Sequence, residues 1–413
     1  MAALSPQRPN QSKTPMEKIV QSLLHFADLF LSILGLVIAA AIAVSFLVIL
    51  GMYISDVSQN KQAIRRNYPV LGRFRYLFEH LGEFFRQYFF ALDREELPFN
   101  RAQRSWVYRA AKDEDSTVAF GSTQPQNIPG EFIFLNDLLP PLEEEVVHER
   151  PIVFGGNHAR QPFSTNRFFN ISAMSFGALS SAAIEALSCG AQKAGIYLNT
   201  GEGSISPSHE AGKCDLVFQM GTAKYGVRNQ DGALSESKVK MLESNDQVKM
   251  IEIKLSQGAK PGKGGILPGI KVNELIADTR GIPVGKDSIS PNRHPEIKTV
   301  GDLLSFIAKI RALSGKPTGI KCVIGQTDWI DDLCMQILDK GLEYAPDFIT
   351  VDSGDGGTGA APLSLMDHTG LPVKRSLPLV VDKLNEFGLR DRIKIIASGK
   401  LINPADVAAA LCL

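Results

Sequence analysis

The chain has 413 residues, and its 44 lysines and arginines balance 44 aspartates and glutamates. This balance lacks the basic excess of nucleic-acid-binding proteins, and a hydrophobic fraction of 44% excludes wholesale disorder. The five cysteines include no C-x-x-C pair, so the sequence predicts neither a zinc site nor a redox dithiol. We therefore expect no nucleic-acid partner and no metal site. The length leaves room for one barrel domain and a further segment.

The first long feature is an uncharged apolar run over residues 29–54, which follows a polar tail over residues 1–28. As a helix the run would measure about 39 Å, enough to cross a hydrocarbon core of about 30 Å. We interpret it as a single transmembrane helix, with a buried core helix as the alternative. Five basic residues follow the run closely and three precede it, so the positive-inside rule places the main domain in the cytoplasm. The predicted partner is the lipid bilayer, and the predicted localisation is a single-pass membrane protein.

Residues 55–150 are predicted to hold an interfacial helix and a lead-in to the main domain. The segment over residues 76–92 is rich in Phe and Tyr and has cations at its edges, a pattern typical of helices that lie in the membrane interface. A hairpin that packs on the soluble domain is the alternative for this segment. The rest of the lead-in carries little chemistry.

Seven short apolar runs recur from Phe168 onward, and glycine or polar residues end them. Helical patterns separate many of the runs, which predicts parallel strands covered on both faces. The polar ends follow several different runs, so an α/β fold with a (β/α)8 TIM-type barrel over residues 151–413 fits better than a doubly wound sheet. The runs begin near Phe168, Gly195, Asp215, Lys249, Gly319, Asp347 and Ile393. The helix candidates cover residues 181–194, 299–314, 329–341, 377–389 and 405–413.

Three segments after the predicted strands indicate chemistry. Residues 354–359 match G-x-G-x-x-G, but they follow a late strand and open no clear helix, which disfavours a Rossmann site. Their bare backbone still allows close approach to a phosphate or a flat ring. The loop over residues 257–265 departs from the Walker template and indicates either anion binding through Lys260 or an exposed flexible loop. Glu202, in the segment 199–203, is interpreted as a residue of the barrel mouth, which is the opening at the C-terminal ends of the strands. A surface glutamate is the alternative.

Seven motifs in order carry a resemblance to a known family. They are Ser172-Ala-Met-Ser-Phe-Gly-Ala-Leu-Ser180, Asn199-Thr-Gly-Glu-Gly203, Gln219-Met-Gly-Thr-Ala-Lys-Tyr-Gly-Val227, Lys254-Leu-Ser-Gln-Gly-Ala-Lys-Pro-Gly262, Leu267-Pro-Gly-Ile-Lys271, Ser290-Pro-Asn-Arg-His294 and Ser353-Gly-Asp-Gly-Gly-Thr-Gly-Ala360. Over about two-thirds of its length the chain resembles the FMN-binding synthase domain of glutamate synthase. More narrowly, it is similar to the membrane-tethered FMN-binding glutamate synthase family proteins, which pair one transmembrane helix with this barrel.

The resemblance implies an FMN at the C-terminal mouth of the barrel. Lys321 would reach the N1/C2 side of the flavin, where a cation stabilises the negative charge of the reduced ring. The residues implied along the isoalloxazine are Met174, Ser175 and Gly177, and those at its pyrimidine edge are Gln219 and Lys254. The implied ribityl and phosphate cradle comprises Ser353, Gly354, Gly356, Gly357, Ser398 and Gly399.

In glutamate synthases the reduced flavin transfers a hydride to 2-iminoglutarate, which forms from 2-oxoglutarate and ammonia. The resemblance implies the same oxidoreductase activity here, with ammonia supplied from elsewhere and an electron donor that the sequence does not identify. The implied catalytic residues are Glu202, Gln257 and Lys260. Glu202 would handle the proton and the ammonium, because a carboxylate among lysines stays ionised. Lys224, Lys260 and Lys271 would bind the dicarboxylate substrate, with Gln257 as a neutral donor.

Two departures from the family pattern leave alternatives open. Lys224 and Tyr225 stand where the family often has Arg-Phe, and a lysine lacks the bidentate carboxylate contact of an arginine. The alternatives are a membrane-tethered flavin or metabolite-binding protein without turnover, and an FMN oxidoreductase that acts on a different amine or keto acid. The chain also stops at Leu413, before the eighth strand and the iron–sulfur cysteines of complete family members. We expect from this a C-terminally truncated barrel that holds FMN weakly and is inactive by itself.

Overall fold

The computed structural model of the protein describes residues 15–90, 92–146, 151–262 and 264–413. Residues 1–14 of the predicted polar tail and residues 147–150 of the predicted lead-in lie outside this part. The chain divides into two compact units, with the boundary between Tyr108 and Arg109. The apolar run lies in the first unit, and the seven predicted strand runs lie in the second.

The longest element of the first unit is one continuous helix, α1 (Pro15–Ser58). Pro15 stands at its first position, where a proline breaks no helical hydrogen bond. The helix contains the whole predicted run over residues 29–54. Its span Ser22–Ser58 is long and apolar enough to cross a membrane, and the apolar 18-residue window that defines the span has no buried residue. The exposure of this window disfavours the alternative of a buried core helix.

Three further helices follow α1, and an ion pair links one of them to the end of α1. They are α2 (Ala63–Asn67), α3 (Leu71–Phe85), which continues into a π-helical turn (Arg86–Phe90), and α4 (Arg101–Ala111). Asp56, close to the end of α1, is 1% exposed. Its carboxylate pairs with Arg73 of α3 at 2.8 Å and accepts the Val70 N–H at 3.0 Å. The chain thus turns back at the end of α1.

Helix α3 and its π-helical turn cover most of the segment 76–92, so the prediction of a helix there is confirmed. The aromatic side chains along this segment are exposed, among them Phe78, Phe84, Phe89 and Phe90. An exposed aromatic surface is typical of helices that lie in the membrane interface. The interfacial location itself stays a prediction.

The second unit is built on a parallel sheet. The strands of this unit are β1 (Ile152–Phe154), β2 (Phe163–Thr165), β3 (Leu198–Asn199), β4 (Leu216–Met220), β5 (Val248–Lys254), β6 (Ile266–Leu267), β7 (Ser288–Ile289), β8 (Thr318–Val323), β9 (Phe348–Asp352) and β10 (Lys394–Ser398). Six of them pair in the order β3-β4-β5-β8-β9-β10, and all of these neighbours are parallel. Strands β4, β5, β8 and β9 are buried at almost every residue, as strands covered on both faces should be.

Helices lie between most of the parallel strands, and those that were predicted have bounds close to the predicted ones. They are α5 (Ser181–Ala194), α6 (Pro207–Glu210), α7 (Glu236–Met241), α8 (Glu274–Arg280), α9 (Val300–Ser314), α10 (Asp328–Lys340), α11 (Leu363–Met366), α12 (Val373–Glu386) and α13 (Pro404–Cys412). Local chemistry sets their ends. Ser180 caps α5 at its start and Gly195 ends it in the left-handed conformation, while Thr299 and Asp302 form a capping box on α9.

The seven predicted runs take part in the sheet in chain order, but the first contributes only a bridge. Ile171 pairs with Leu198 in parallel, and Ile171 O accepts the Asn199 N–H. A regular ladder would next use the N–H of residue 173, whereas here the Met174 N–H donates to Asn199 O. One extra residue therefore interrupts the pairing and ends the strand after Ile171.

The sheet is curled into a parallel half-barrel of six strands. Its first and last segments approach each other at the C-terminal edge, where Ser172 Oγ and Ser398 Oγ are 2.8 Å apart. A cavity of about 1010 Å³ lies between the Ile171 segment and β10. The prediction of an α/β barrel-type fold is thus confirmed at the level of a curled parallel sheet, and the eight-stranded barrel expected of complete family members stays a prediction.

The concave face of the sheet is layered along the strand direction. An apolar layer fills its N-terminal end, and the antiparallel pair of β1 and β2 contributes to it. This layer consists of Phe154, Phe163, Tyr197, Val217, Met250 and Phe348. Strand residues alternate between the two faces, so Glu252 and Lys254 follow Met250 on the concave face of β5. The interior therefore changes from apolar to polar and then to charged toward the C-terminal edge.

Candidate active site

The C-terminal edge of the sheet brings the predicted cofactor residues together. Parallel strands all end at the same edge, which is where barrel enzymes hold their active sites. Gln219 lies on β4, Lys254 ends β5 and Lys321 lies on β8, and each of these residues is at most 9% exposed. Lys254 and Lys321 are directly opposite each other in the β5–β8 pairing. The predicted grouping of these residues therefore agrees with the strand register.

Glu202 lies at the centre of this edge, in a 3-10 turn (Gly201–Gly203) that directly follows β3. Its Oε2 pairs with Lys254 Nζ at 3.0 Å, and Lys254 Nζ also donates to Gln257 Oε1 at 2.8 Å. Two glycines crowd the Glu202 side chain. A Cβ at Gly221 would lie 2.6 Å from Glu202 Cβ, and one at Gly265 would lie 2.8 Å from Oε1. The turn and these glycines leave room for the carboxylate and for little else.

The charges around Glu202 keep it ionised. Burial by itself raises the pKa of a carboxyl group. At Glu202 this effect is outweighed by the charge and hydrogen bond of Lys254 and by the charges of Lys260 and Arg280, so its pKa lies below the usual range. The resemblance implies Lys260 beside this glutamate as a catalytic residue and Lys254 at the flavin edge, while Arg280 is an addition from the structure. Glu202 is thus one carboxylate among three cations.

Arg280 is buried at the end of α8, with 6% exposure. Its Nη2 donates to Phe176 O at 2.7 Å, and its guanidinium lies 5.1 Å from the centre of the Tyr225 ring. A Cβ at Gly177 would lie 3.1 Å from Nη2. The predicted residue Gly177 therefore packs against a guanidinium, at a φ of 97° that favours glycine. No motif in the sequence singles out this arginine, because its partners belong to two other loops.

Lys321 has a carboxylate partner that the sequence analysis missed. Its Nζ lies 3.5 Å from Asp352 Oδ1, and both side chains are less than one-tenth exposed. Asp352 Oδ2 also accepts the Gly258 N–H at 2.8 Å, which holds the glycine-rich loop after β5 to the end of β9. The position of Asp352, at the end of a strand run and just before the glycine cluster, is the signal that identifies it.

The predicted cradle is formed by close-packed backbone at the ends of β9 and β10. A Cβ at Gly399, which has a φ of 91°, would lie 2.9 Å from Ser353 Cβ. A Cβ at Gly356 would lie 2.9 Å from Ser353 O, whereas Gly357 has open space around it. Ser353 N donates to Ser398 O at 2.8 Å, which joins the two loops. Bare backbone of this kind accommodates a phosphate, so the residues fit the phosphate end of FMN.

Met174 and Ser175 lie beside the Glu202 turn. His209 Nε2 is 2.9 Å from Met174 O, and a Cβ at Gly201 would lie 2.6 Å from Ser175 N. Burial lowers the pKa of His209, so its imidazole is neutral and donates to the Met174 carbonyl. These contacts fix the segment after the first strand run against the loop after β3, on the side where the isoalloxazine ring is implied.

The structure separates the cations that were predicted to bind the dicarboxylate. Lys260 is buried and close enough to Glu202 to lower the pKa of that residue. Lys224 is also buried, but its Nζ pairs with Glu296 at 2.9 Å. Lys271 is exposed in a 3-10 turn (Gly269–Lys271). Of these three lysines, Lys260 is the one whose charge acts on Glu202.

A further group that the sequence analysis missed lies in the polar layer below the mouth. We call it the Glu252 cluster, and it consists of Asn199, Gln219, Glu252 and Thr350, each at most 5% exposed. Glu252 Oε1 accepts from Asn199 Nδ2 at 2.8 Å and from Gln219 Nε2 at 2.6 Å, and Oε2 accepts from Thr350 Oγ1 at 2.5 Å. The alternation of Glu252 with Lys254 on β5 was a signal for this group. Within the part of the chain that the structure describes, no group of His, Cys, Asp and Glu is arranged to hold a metal ion.

A curled parallel half-barrel with a glycine cradle and a carboxylate among cations at its C-terminal edge defines a barrel-type α/β protein with its charged side chains gathered at one edge of the sheet. The conserved region in glutamate synthase matches residues 133–413 of this chain. The chain therefore belongs to the glutamate synthase family.

Individual relatives agree with this family. The chain is 36% identical, over a 436-residue alignment, to the glutamate synthase large subunit-like protein YerD of Bacillus subtilis, covering 96% of this chain and 80% of that protein. It is 36% identical over 243 residues to the archaeal-type glutamate synthase (NADPH) of Thermotoga maritima, covering 58% of this chain and 44% of that enzyme. The chain thus spans less than half the length of the Thermotoga enzyme. A solved aldolase, QR15, is 16% identical with a TM-score of 0.32, over 59% of this chain and 85% of the aldolase.

Proposed function

We propose that the protein is an FMN-dependent oxidoreductase of glutamate synthase type, which converts 2-oxoglutarate and ammonia to glutamate through 2-iminoglutarate. The observation that carries the proposal is the ionised Glu202, paired with Lys254 at 3.0 Å and influenced by the charges of Lys260 and Arg280. Known members of this family domain bind FMN, and the residues of the cradle fit its phosphate. Bound FMN would supply two-electron hydride chemistry to the site.

The residues around Glu202 suit the condensation that precedes reduction. An ionised carboxylate attracts ammonium and accepts the proton that ammonium must lose before it attacks the keto carbon. Attack forms the C–N bond, and loss of water leaves the imine. The positive charges of Lys260 and Arg280 favour the substrate carboxylates, as charge-assisted contacts do in general. The same charges keep Glu202 in the form that the proton transfer needs.

We expect the protein in its complete form to bind FMN in an anaerobic titration with excess cofactor. Once reduced, the bound flavin is expected to be reoxidised by 2-oxoglutarate together with ammonium, but not by either alone, because the imine forms only from both. Visible flavin absorbance measures both steps. Binding without reoxidation by any keto acid would favour the alternative of a flavin-binding protein without turnover. A protein that binds no FMN at saturating cofactor would contradict the proposal.

The position of Lys224 favours a second candidate, an FMN oxidoreductase that acts on a different amine or keto acid. Lys224 is 2% exposed, and its ammonium is paired with Glu296. A cation already paired with a carboxylate contributes less to a second one, so the distal carboxylate of 2-oxoglutarate has fewer partners than the sequence predicted. A panel of keto acids in the same reoxidation assay separates the two candidates, since a better substrate with a shorter or apolar side chain would favour the second.

We also infer that α1 anchors the protein in a membrane, with the second unit in the cytoplasm. Support comes from the exposed apolar span Ser22–Ser58 and from the basic residues that follow it. The protein is expected to sediment with membranes and to stay there after alkaline carbonate extraction. Its exposed thiols, Cys189 and Cys412, are expected to react with a membrane-impermeant maleimide only after cell lysis. The matched control is the C189S/C412S double variant, and release of the protein by carbonate would contradict the anchor.

A further inference from the structure

The Glu252 cluster connects two predicted parts of the site from below. Gln219, one of its members, is the implied partner of the flavin pyrimidine edge. Asn199, another member, begins the turn that carries Glu202, and its Oδ1 accepts the Gly201 N–H at 3.0 Å. The Gln219 backbone N–H donates to Thr200 Oγ1 at 3.1 Å, which joins the two parts a second time. One buried carboxylate thus contacts the cofactor side and the Glu202 side of the mouth.

The chemistry of Glu252 determines how both amides are oriented. Both carboxylate oxygens of Glu252 act as acceptors, Oε1 for the two amides and Oε2 for the Thr350 hydroxyl, so each amide presents its NH2 group. For Asn199 this orientation is independently supported, because its Oδ1 has a donor partner in Gly201. For Gln219 the same rule directs Nε2 to Glu252 at 2.6 Å. The acceptor that Gln219 retains for a ligand is therefore its carbonyl oxygen.

The N3 atom at the pyrimidine edge of a flavin carries a hydrogen. This edge therefore requires an acceptor, such as a carbonyl oxygen, at the position of Gln219. If the Gln219 amide rotated, it would present an NH2 group to that N–H and two donors would oppose each other. The cluster is at most 5% exposed, and a buried donor that loses its acceptor is destabilising. The orientation of Gln219 therefore depends on the acceptor below it.

We propose that Glu252 is a positioning residue that orients the Gln219 amide for the cofactor and holds the Asn199 side of the Glu202 turn. The inference rests on the proposed function, since it assumes that Gln219 contacts a flavin. Glu252 itself touches neither substrate nor cofactor in this proposal, and its effect passes through Gln219 and Asn199.

The test is a double-mutant cycle on the FMN dissociation constant, measured by quenching of flavin fluorescence in the full chain. E252L and Q219L are each expected to raise the dissociation constant about tenfold, the effect of losing one oriented hydrogen bond. The double variant is expected to show the same tenfold rise rather than about a hundredfold, because both changes remove the same interaction. A purely structural role for Glu252 would make the two effects multiply, and multiplication would overturn the proposal.

E252Q is a second variant that keeps an acceptor for both amides and reverses the hydrogen bond with Thr350. The glutamine Oε1 accepts from Asn199 and Gln219, and its NH2 donates to the Thr350 hydroxyl oxygen, so FMN affinity is expected to stay within about threefold of the original. A loss as large as that of E252L would show that charge rather than orientation matters, and would overturn the proposal.

T318V is the matched control, because Thr318 is a buried threonine at the opposite end of β8. If the unmodified chain bound no FMN, the proposed function would fail, whereas normal binding with multiplying effects would refute this inference alone.

Discussion

Replacement of Glu202 by Gln is expected to lower kcat by about two orders of magnitude or more, the usual effect of removing a proton-transfer group. The amide is nearly isosteric, so it fits between Gly221 and Gly265. It carries no charge to attract ammonium and no site for its proton. FMN affinity is expected to change little, because Glu202 is not among the implied cofactor residues. The KM for ammonium is expected to rise together with the fall in kcat.

The measurement is steady-state turnover with 2-oxoglutarate, ammonium and excess dithionite, which re-reduces the flavin, and flavin content is determined on the same samples. Glu210→Gln is the matched control, since Glu210 is an exposed glutamate at the end of α6. The pH dependence gives a second readout. The pKa of Glu202 lies below its usual range. As the pH is lowered, the activity of the original protein is therefore expected to fall only below the ordinary glutamate pKa of about 4.3. Full activity in the E202Q variant would remove this residue from the reaction.

The second large effect is expected at the opposite end of the sheet, where Asp347 lies between two arginines. Its carboxylate pairs with Arg311 Nε at 2.7 Å and with Arg392 Nη1 at 3.0 Å, and it accepts the Thr318 N–H at 2.7 Å. The Asp347 side chain is fully buried, and those of the two arginines are 5% and 12% exposed. Asp347→Ala leaves both guanidinium groups without their carboxylate, which is expected to cost about 3–5 kcal/mol in the free energy of unfolding.

Urea unfolding of the detergent-purified protein measures this loss as a lower midpoint at an unchanged m value. Glu236→Ala is the matched control, because the Glu236–Lys309 pair is about half exposed at both ends. Such pairs contribute little, so the control midpoint is expected to stay close to that of the original protein. Equal midpoints for Asp347→Ala and the original protein would contradict the structural role. Because Asp347 lies at the N-terminal edge, the folded variant is expected to keep its FMN affinity.

The strand and helix order was predictable because its signals are local. Buried parallel strands form apolar runs, and each run here ends in glycine or polar residues at a loop. Helix α9 is bounded by a capping box and Gly315, both readable within a few residues of its ends. The bridge at Ile171 was not predictable, since one extra residue relative to β3 ends the pairing there. Pairing of this kind depends on the neighbouring strand and not on the run itself.

The location of Glu202, Lys254 and Lys260 at one edge was also predicted, through strand order and family resemblance, but the pairing of Glu202 with Lys254 was not. The partners of other charged groups were not. Lys224 was expected to bind substrate and is paired with Glu296, and Lys321 was expected to face a flavin and also contacts Asp352. A sequence shows which residues carry charge, but not which opposite charge lies within 4 Å after folding.

Local patterning in the sequence thus determined the apolar span of α1, the alternation of strands and helices, and the edge at which the chemistry lies. Periodicity, capping and turn residues act over a few positions, and each can be read along the chain. The tertiary structure alone decided that Arg280 joins the mouth, that Lys224 pairs with Glu296, and that Glu252 lies beneath Gln219. These relations connect residues distant in sequence, and they arise only when the curled sheet brings its strands and loops into contact.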